Sequence, residues 1–189
     1  MNTIQDNRSK LLDQALRLFT ANGYDAVGVQ EIVDAAGVTK PTLYHYFGSK
    51  RGLMDALLDE RFAALQQTID LAAVFDGDLL LNLRKLTGAY FDFALQQPIL
   101  YQFLLSTQYA PQSSDSYLAA AACNEEMLAR VIQLFEQALP HMQGRHRRYA
   151  VTFIGMVNTY ITLALNGHLT LSDEVVNSAV HQFMHGIFS

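Results

Sequence analysis

Apolar residues recur at intervals of three and four along almost the whole chain, and this spacing constrains the fold more than any other feature. One helical face near the start carries Leu11, Leu12, Ala15, Leu16 and Phe19. No segment shows a convincing strand pattern of alternating apolar and polar residues. The chain is therefore predicted to be all-α.

Glycines and capping residues divide this helical pattern. Gly23, Gly37 and Gly48 are predicted to end the first three helices, because glycine accepts the left-handed backbone that commonly follows a helix. Ser49 and Ser172 each precede a helical pattern, where a hydroxyl can cap the first turn. When breaks of this kind are counted along the whole chain, they predict about nine helices.

The breaks are spaced differently in the two parts of the chain. Residues 1–49 hold three short helices with tight turns, which predicts a small N-terminal module. Residues 50–78 are predicted to form a connecting helix and loop. Residues 79–189 hold longer and more apolar helices, which predicts a C-terminal helical bundle.

The third helix lies within the stretch GVTKPTLYHYFGSK, residues 37–50. With about 100° of rotation per residue, Leu43, Tyr46 and Phe47 face the core. The opposite side carries Pro41, Thr42, Tyr44 and His45. An ordinary exposed helix favours glutamate, lysine, glutamine and alanine. Hydroxyl and imidazole groups instead suit hydrogen bonds to base edges and to the DNA backbone.

The distribution of charged residues favours nucleic-acid binding by one short segment rather than by the chain as a whole. The formal net charge is −5, which by itself does not favour nucleic acid as a partner. Between Gly37 and Arg51, however, Lys40 and Lys50 accompany Arg51 without any acid. A positive segment attracts phosphate. Two short helices joined through Gly37, the second with this surface, describe a helix-turn-helix.

The run GYDAVGVQEIVDAAGVTKPTLYHYFGSKRGLMDALL resembles the DNA-binding domain of the tetracycline-repressor (TetR) family of bacterial regulators. Matching groups include Gly23-Tyr24, Ala36-Gly37-Val38, Thr42-Leu43-Tyr44 and Ser49-Lys50. The resemblance implies that residues 1–49 form a DNA-binding domain, with Lys50 contacting phosphate. It implies recognition-helix contacts from Thr39, Lys40, Pro41, Thr42, Tyr44 and His45.

The start of the second helix departs from the family pattern. The family often has threonine or serine there, whereas this chain has Val27-Gly28. Glycine retains a backbone N–H that can bind phosphate, but it supplies no hydroxyl. Gly28 is therefore predicted to contact phosphate through its backbone alone.

The family resemblance also implies an inducer cavity within the C-terminal bundle. The predicted ligand-binding residues are Tyr90, Phe103, Met127, Phe153 and Asn158. Their surroundings favour a small, mostly apolar or aromatic ligand. Aromatic residues at helical spacing also form ordinary cores, and that alternative stays open.

Two stripes of residues near the C-terminal end predict a homodimer surface. The first includes small residues that allow close helix approach, and it consists of Val151, Ile154, Gly155 and Thr162. The second consists of Val176, Val180, Phe183 and Ile187. A self-complementary interface between two copies would bury both stripes. Two recognition helices held about 34–36 Å apart read successive major grooves of a palindromic site.

Other classes of site find little support. The single cysteine, Cys123, excludes an internal disulfide. His181 and His185 leave a transition-metal site incomplete, so no metal or cofactor is predicted. No apolar stretch approaches the ~18–20 residues that span a bilayer, so we expect no membrane partner and a cytoplasmic location.

The sequence thus predicts a ligand-responsive transcriptional regulator, more specifically a dimeric repressor released by an inducer. An enzyme is not predicted, since the chain has no glycine-rich phosphate loop and no Ser-His-Asp order in a supporting motif. A helical dimerisation or ligand-binding protein without specific DNA binding is the alternative that the Gly28 departure leaves open.

Overall fold

The structure, a computed structural model, describes the backbone of residues 3–186 and the side chains of residues 7–186. Within that range it contains nine α-helices and no strand, which confirms the all-α prediction. In chain order they are α1 (Thr3–Asn22), α2 (Val29–Ala36), α3 (Lys40–Phe47), α4 (Lys50–Ala72), α5 (Leu79–Gln96), α6 (Pro98–Gln108), α7 (Asp115–Ala138), α8 (His146–Leu165) and α9 (Asp173–His185).

Helix ends lie close to the predicted breaks. Gly37 follows α2 in the left-handed conformation, with φ 67° and ψ 33°, where a residue with a Cβ is strained. Its N–H donates to the carbonyl of Asp34 at 3.2 Å, and the N–H of Val38 donates to that of Val33 at 3.0 Å. Gly37 therefore closes α2 and turns the chain toward α3, as the sequence predicts.

Both predicted serine caps are present. The Ser49 hydroxyl accepts the Gly52 N–H at 2.9 Å, and the Ser172 hydroxyl accepts the Val175 N–H at 3.3 Å. Each serine thereby satisfies a first-turn N–H that has no partner within its own helix.

The chain forms two compact units. The first contains α1–α3, α4 as far as Ala63, and the segment Ile99–Cys123. The second contains Ala64–Pro98 and the chain from Asn124 onward. These units do not follow the predicted boundaries, because α6 and the start of α7 group with the N-terminal helices. The functional division into residues 1–49, 50–78 and 79–189 stays a prediction.

Phe19 lies at the centre of the first unit. Its side chain is completely buried, and its ring centroid lies 5.0 Å from that of Tyr24 and 6.2 Å from that of Phe103. Phe103, one of the predicted ligand-binding residues, is thus buried in the core of the first unit, and its contact with a ligand stays a prediction. Close packing of such rings contributes to stability beyond their buried area.

Arg8 connects three helices of the first unit. Its guanidinium binds both carboxylate oxygens of Glu60 on α4, with 2.7 Å from Nη1 to Oε2. The guanidinium carbon also lies 5.2 Å from the centroid of the Phe47 ring on α3, a distance that suits a cation–π contact. The hydrogen bond between the two side chains raises the pKa of Arg8 and lowers that of Glu60.

In the second unit, α9 packs against α5 and α8. Val176 and Val180 are buried, and the Phe183 ring lies 5.4 Å from that of Phe153 and 6.2 Å from that of Phe135. The prediction of a dimer surface on this stripe is therefore wrong for Val176 and Val180, whereas Phe183 is half-buried and its dimer role stays a prediction. The part of α9 around Val176 and Val180 is covered within the same protomer.

Other predicted interface residues have different surroundings. Val151 and Thr162 are exposed on α8, and Ile154 and Gly155 are half-buried there, so this stripe can still meet a second copy. Ile187 lies outside the described residues. The dimer role of the α8 stripe stays a prediction.

Three further predicted ligand residues are buried in the second unit. Tyr90 is 3% exposed, Phe153 is fully buried, and Asn158 is 7% exposed. None of them lines the clefts described below. Their burial fits both a packed core and the lining of an internal cavity, and their ligand role stays a prediction.

No helix within residues 3–186 has the length and apolar character needed to cross a bilayer. Among the side chains of residues 7–186, no group of three or more from His, Cys, Asp and Glu is placed to hold a metal ion. The rings of His181 and His185 lie 4.8 Å apart at the end of α9.

Candidate nucleic-acid interface

The inner side of α3 fixes its position. Leu43 is completely buried, and α3 packs against both α1 and α2. Tyr46 and Phe47, which the helical wheel also placed inward, are only half-buried. A short helix with a single fully buried residue leaves most of its surface available to a partner.

The outer side of α3 is open to solvent. Pro41, Tyr44 and His45 are exposed, Tyr44 to 47%, and Thr42 is half-buried. The predicted exposure of Pro41, Tyr44 and His45 is thus confirmed. The His45 ring meets Tyr46 edge-on at 5.4 Å between centroids, which restricts its orientation. Contact of these residues with DNA stays a prediction.

Two threonines pair at the start of α3. The hydroxyl oxygens of Thr39 and Thr42 lie 2.9 Å apart, and Thr39 occupies the N-cap position without a side-chain capping bond. A hydroxyl pair contains two hydrogens and its mutual bond uses one, so the other can be donated to a phosphate oxygen. Lys40 is exposed beside this pair.

Lys50 points into the protein. Its ammonium donates to the carbonyl oxygens of Tyr24 at 2.8 Å and Val27 at 2.9 Å, and it lies 4.1 Å from the centroid of the Tyr24 ring. An ammonium has three donors, and this geometry uses two of them. The predicted phosphate contact of Lys50 is therefore limited to its third N–H, and its main role in this structure is to hold the loop before α2.

Gly28 is also engaged within the protein. Its backbone N–H donates to Oε2 of Glu31 at 2.8 Å, so the predicted phosphate contact requires Glu31 to move away. Glu31 is exposed, and it places a carboxylate at the start of α2. There the helix dipole stabilises an anion. The carboxylate thus occupies the position that was predicted for phosphate.

The positive segment is smaller than its sequence suggests. Arg51 donates to Asp55 at 2.8 Å, one helical turn further along α4. With Lys50 bound to carbonyl groups, Lys40 is the lysine of this segment that remains exposed on α3. The three acceptors of these two cations are the carbonyl oxygens of Tyr24 and Val27 and the carboxylate of Asp55. All three lie outside residues 37–51, whose charges were counted from the sequence.

Gly52 is a positioning residue that the sequence pattern did not reveal. A Cβ at this position would lie 2.0 Å from the carbonyl oxygen of Phe47, the last residue of α3. That is much closer than side chains approach backbone atoms, so only glycine allows α4 to start so near the end of α3. A glycine inside a helical pattern without a turn was the available signal.

Comparison with known proteins identifies the N-terminal segment. Residues 11–57 match the family model described as bacterial regulatory proteins, tetR family. The chain is 33% identical over 123 residues to the transcriptional activator FasR of Mycolicibacterium smegmatis, covering 64% of this chain and 56% of FasR. It is 44% identical over 61 residues to the repressor ComR of Escherichia coli, covering 31% of this chain and 29% of ComR. The matched segments thus span about half of the first relative and less of the second.

Solved structures match over almost the whole fold. FadR from Bacillus subtilis, solved in complex with stearoyl-CoA, has a TM-score of 0.76 at 17% identity, covering 95% of this chain and 98% of FadR. At this identity the match establishes a shared fold. It does not extend the ligand of FadR to this chain.

Proposed function

Because the chain belongs to the TetR family of bacterial regulators, we propose that it is a transcriptional regulator that binds palindromic duplex DNA as a homodimer. The observation that carries the proposal is the outer face of α3, where Pro41, Tyr44 and His45 are exposed with no acidic residue among them. In a helix-turn-helix this helix lies in the major groove. A regulator of this kind acts in the cytoplasm, where bacterial DNA lies.

Residues on this face divide into two proposed roles. His45 and Tyr44 read base edges, because they project from the middle of the exposed face. Thr39, Thr42 and Lys40 contact phosphate, because hydroxyl and ammonium groups at a helix start suit an anion. The residues proposed to contact the duplex are Gly28, Thr39, Lys40, Pro41, Thr42, Tyr44, His45 and Lys50.

The proposed homodimer forms through the exposed stripe of α8. Val151, which belongs to this stripe, is 51% exposed. Gly155 lies one turn further along the same side of α8, and a Cβ added there would have no heavy atom within 4 Å, so a second helix can approach closely. A dimer binds two half-sites at once and therefore gains affinity without new contacts.

Two substitutions separate the dimer surface from the core. Val151→Asp should shift the protein toward monomer in sedimentation velocity and leave the monomer folded. Val180→Ala should lower the free energy of unfolding by about 2 kcal/mol, since two buried carbon groups are lost and a cavity is left. If Val151→Asp leaves the dimer intact, the interface lies elsewhere.

We propose repression rather than activation, with release by a small, mostly apolar ligand. ComR, which is 44% identical over 61 residues, is a repressor, whereas FasR is an activator. FadR was solved with an acyl-CoA, which is compatible with a largely apolar ligand in this fold. A ligand releases DNA only if it binds the two conformations with different affinity.

A second candidate is a helical ligand-binding or dimerisation protein without specific DNA binding. Two groups expected at phosphate, the Lys50 ammonium and the Gly28 N–H, are bound to protein atoms, and this favours the candidate. Selection of bound duplexes from a random pool separates the two. A regulator enriches one palindromic sequence, whereas the second candidate enriches none.

A further inference from the structure

A polar cleft lies in the second unit between the C-terminal part of α4 and the second half of α7. Its volume is about 400 Å³, within the range of sites for small molecules. The lining residues are Asp70, Ala73, Val74, Phe75, Arg130, Gln133 and Gln137. A small recess beside it is lined in part by Met127, one of the residues predicted from the sequence to bind a ligand.

Two polar contacts cross from α4 to α7 beside the cleft. Asp70 accepts from the Nε–H of Arg130 at 2.5 Å, and Gln66 donates to Glu126 at 3.0 Å. Because residues 66 and 70 face residues 126 and 130 in the same order, the two helices run in the same direction along the cleft. Asp70 and Arg130 both line the cleft, whereas Gln66 and Glu126 line the small recess beside it.

One wall presents donors from a single face of α7. Arg130, Gln133 and Gln137 are spaced three and four residues apart, which places them on the same side of the helix. The guanidinium has five N–H donors, and the hydrogen bond to Asp70 uses the one on Nε. Each glutamine adds an amide that can donate as well.

Val74 and Phe75 add apolar groups to the lining of the cleft, and the backbone that carries them is held in place. Asn82 is buried, donates to the carbonyl of Val74 at 2.7 Å and accepts the N–H of Asp76 at 3.3 Å. These bonds fix the backbone on both sides of Phe75, whose side chain lines the cleft. The backbone of this part of the lining is therefore held in place without a ligand.

We propose that this cleft binds a small organic carboxylate with an apolar body. A guanidinium matches a carboxylate in charge and in its forked geometry, the two glutamines add donors, and Val74 and Phe75 meet the apolar part. The ligand carboxylate takes the place of Asp70 at Arg130. That exchange costs little, because Asp70 and Arg130 are 46% and 40% exposed and water and salt screen such a pair.

Binding of a carboxylate to this cleft does not depend on the proposed function, whereas an effect of that ligand on DNA binding rests on it. Asp70 lies near the end of α4, and Lys50, which holds the loop before α2, begins the same helix. A ligand that removes Asp70 from Arg130 breaks one of the two polar contacts between the end of α4 and α7 and leaves the Gln66–Glu126 contact in place. It shifts DNA affinity to the extent that it prefers the conformation without this contact.

Isothermal titration calorimetry on the full chain, without DNA, tests the binding step. Hexanoate is the probe, with hexanamide and hexylamine as neutral and cationic controls of the same length. We expect hexanoate to bind at least about tenfold more tightly than either control, because charge-assisted hydrogen bonds are roughly twice as strong as neutral ones. Arg130→Gln should weaken hexanoate binding about tenfold or more, and Arg84→Gln, an exposed arginine outside the cleft, should not change it.

Asp70→Asn is expected to increase the affinity for hexanoate, and a misfolded variant could not produce such an increase. Removing the internal competitor should tighten hexanoate binding by up to about fivefold. Equal binding to wild type and Arg130→Gln, no hexanoate binding at all, or a preference for hexylamine would each overturn the proposal. Because the readout contains no DNA, such a failure leaves the proposed regulator standing, and a failure to bind DNA leaves this result unaffected.

Discussion

The Lys50 ammonium lies 2.8 Å from the carbonyl oxygen of Tyr24, although 26 residues separate the two in the sequence. Together with its bond to the Val27 carbonyl at 2.9 Å, this contact fixes the loop before α2 to the start of α4. Lys50 is thus placed to orient the helix-turn-helix as well as to approach DNA.

Lys50→Met keeps the aliphatic stem and removes both charge-assisted bonds. We expect it to lower the free energy of unfolding in urea by about 1.5–3 kcal/mol, the usual value for hydrogen bonds to a charged group. Lys40→Met, at an exposed position, should change stability by less than about 0.5 kcal/mol and still weaken DNA binding. If Lys50→Met is as stable as wild type, the internal role assigned to Lys50 is wrong.

Glu31→Gln should strengthen DNA binding at low salt. Glutamine can still cap α2, but the carboxylate that faces an approaching phosphate is removed. We expect a several-fold gain in affinity by fluorescence anisotropy, which shrinks as salt screens the charge. Glu136→Gln, an exposed acid on α7, is the matched control, and an equal gain there would show that only net charge matters.

Gly52→Ala should destabilise the protein by about 1–3 kcal/mol, as overpacking does, because its Cβ would lie 2.0 Å from the Phe47 carbonyl oxygen. Gly88→Ala is the same substitution inside α5, where nothing lies within 4 Å of the new Cβ. It should stabilise by about 0.5–1 kcal/mol. Thermal unfolding of both variants checks the pair, and a shift of both in the same direction would contradict it.

Because Arg8 and Glu60 form an ion pair, we expect the stability of the protein to depend on pH in the acidic range. The hydrogen bond from Arg8 lowers the pKa of Glu60 below its ordinary value of 4.5. A depressed folded-state pKa stabilises the fold above pH 4.5, and this contribution is lost as the pH falls through the folded-state value. Both side chains are more than a third exposed, so its size is about 0.2–1 kcal/mol.

NMR titration of the Glu60 carboxyl group tests this directly. In wild type it should titrate at lower pH than in Arg8→Met, where its pKa should return toward the ordinary value. Arg8→Met should also lose stability at neutral pH by more than it does below pH 3. Identical titration of Glu60 in both proteins would show that the pair does not persist in solution.

Local features were predictable from the sequence because their causes are local. Gly37 and Ser172 mark helix ends through the backbone conformation and hydroxyl that a helix end requires. The exposed side of α3 followed from the 3.6-residue period and the position of Leu43. In each of these cases, the residues that determine the structure lie within one or two turns of each other.

Features that depend on distant partners were not predictable in this way. The pattern of Val176 and Val180 shows that one face of α9 is covered, but it does not say whether α5 or a second copy covers it. The charge of Lys50 does not reveal that carbonyl oxygens 26 and 23 residues earlier receive it. Likewise, Asp70 and Arg130 are 60 residues apart, so the cleft between them appears only in the fold.

The central claim is that the outer face of α3 enters a groove of duplex DNA. Fluorescence anisotropy should compare the duplex enriched from a random pool with a scrambled duplex, across a salt series, for wild type, His45→Ala and Tyr109→Ala. Tyr109 is 72% exposed outside α3. We expect His45→Ala to weaken binding to the enriched duplex by about 1–3 kcal/mol and to bind the scrambled duplex with the same affinity as wild type. Tyr109→Ala should bind both duplexes with an affinity close to that of wild type. Equal binding of wild type to both duplexes, or equal losses in the two variants, would contradict the account.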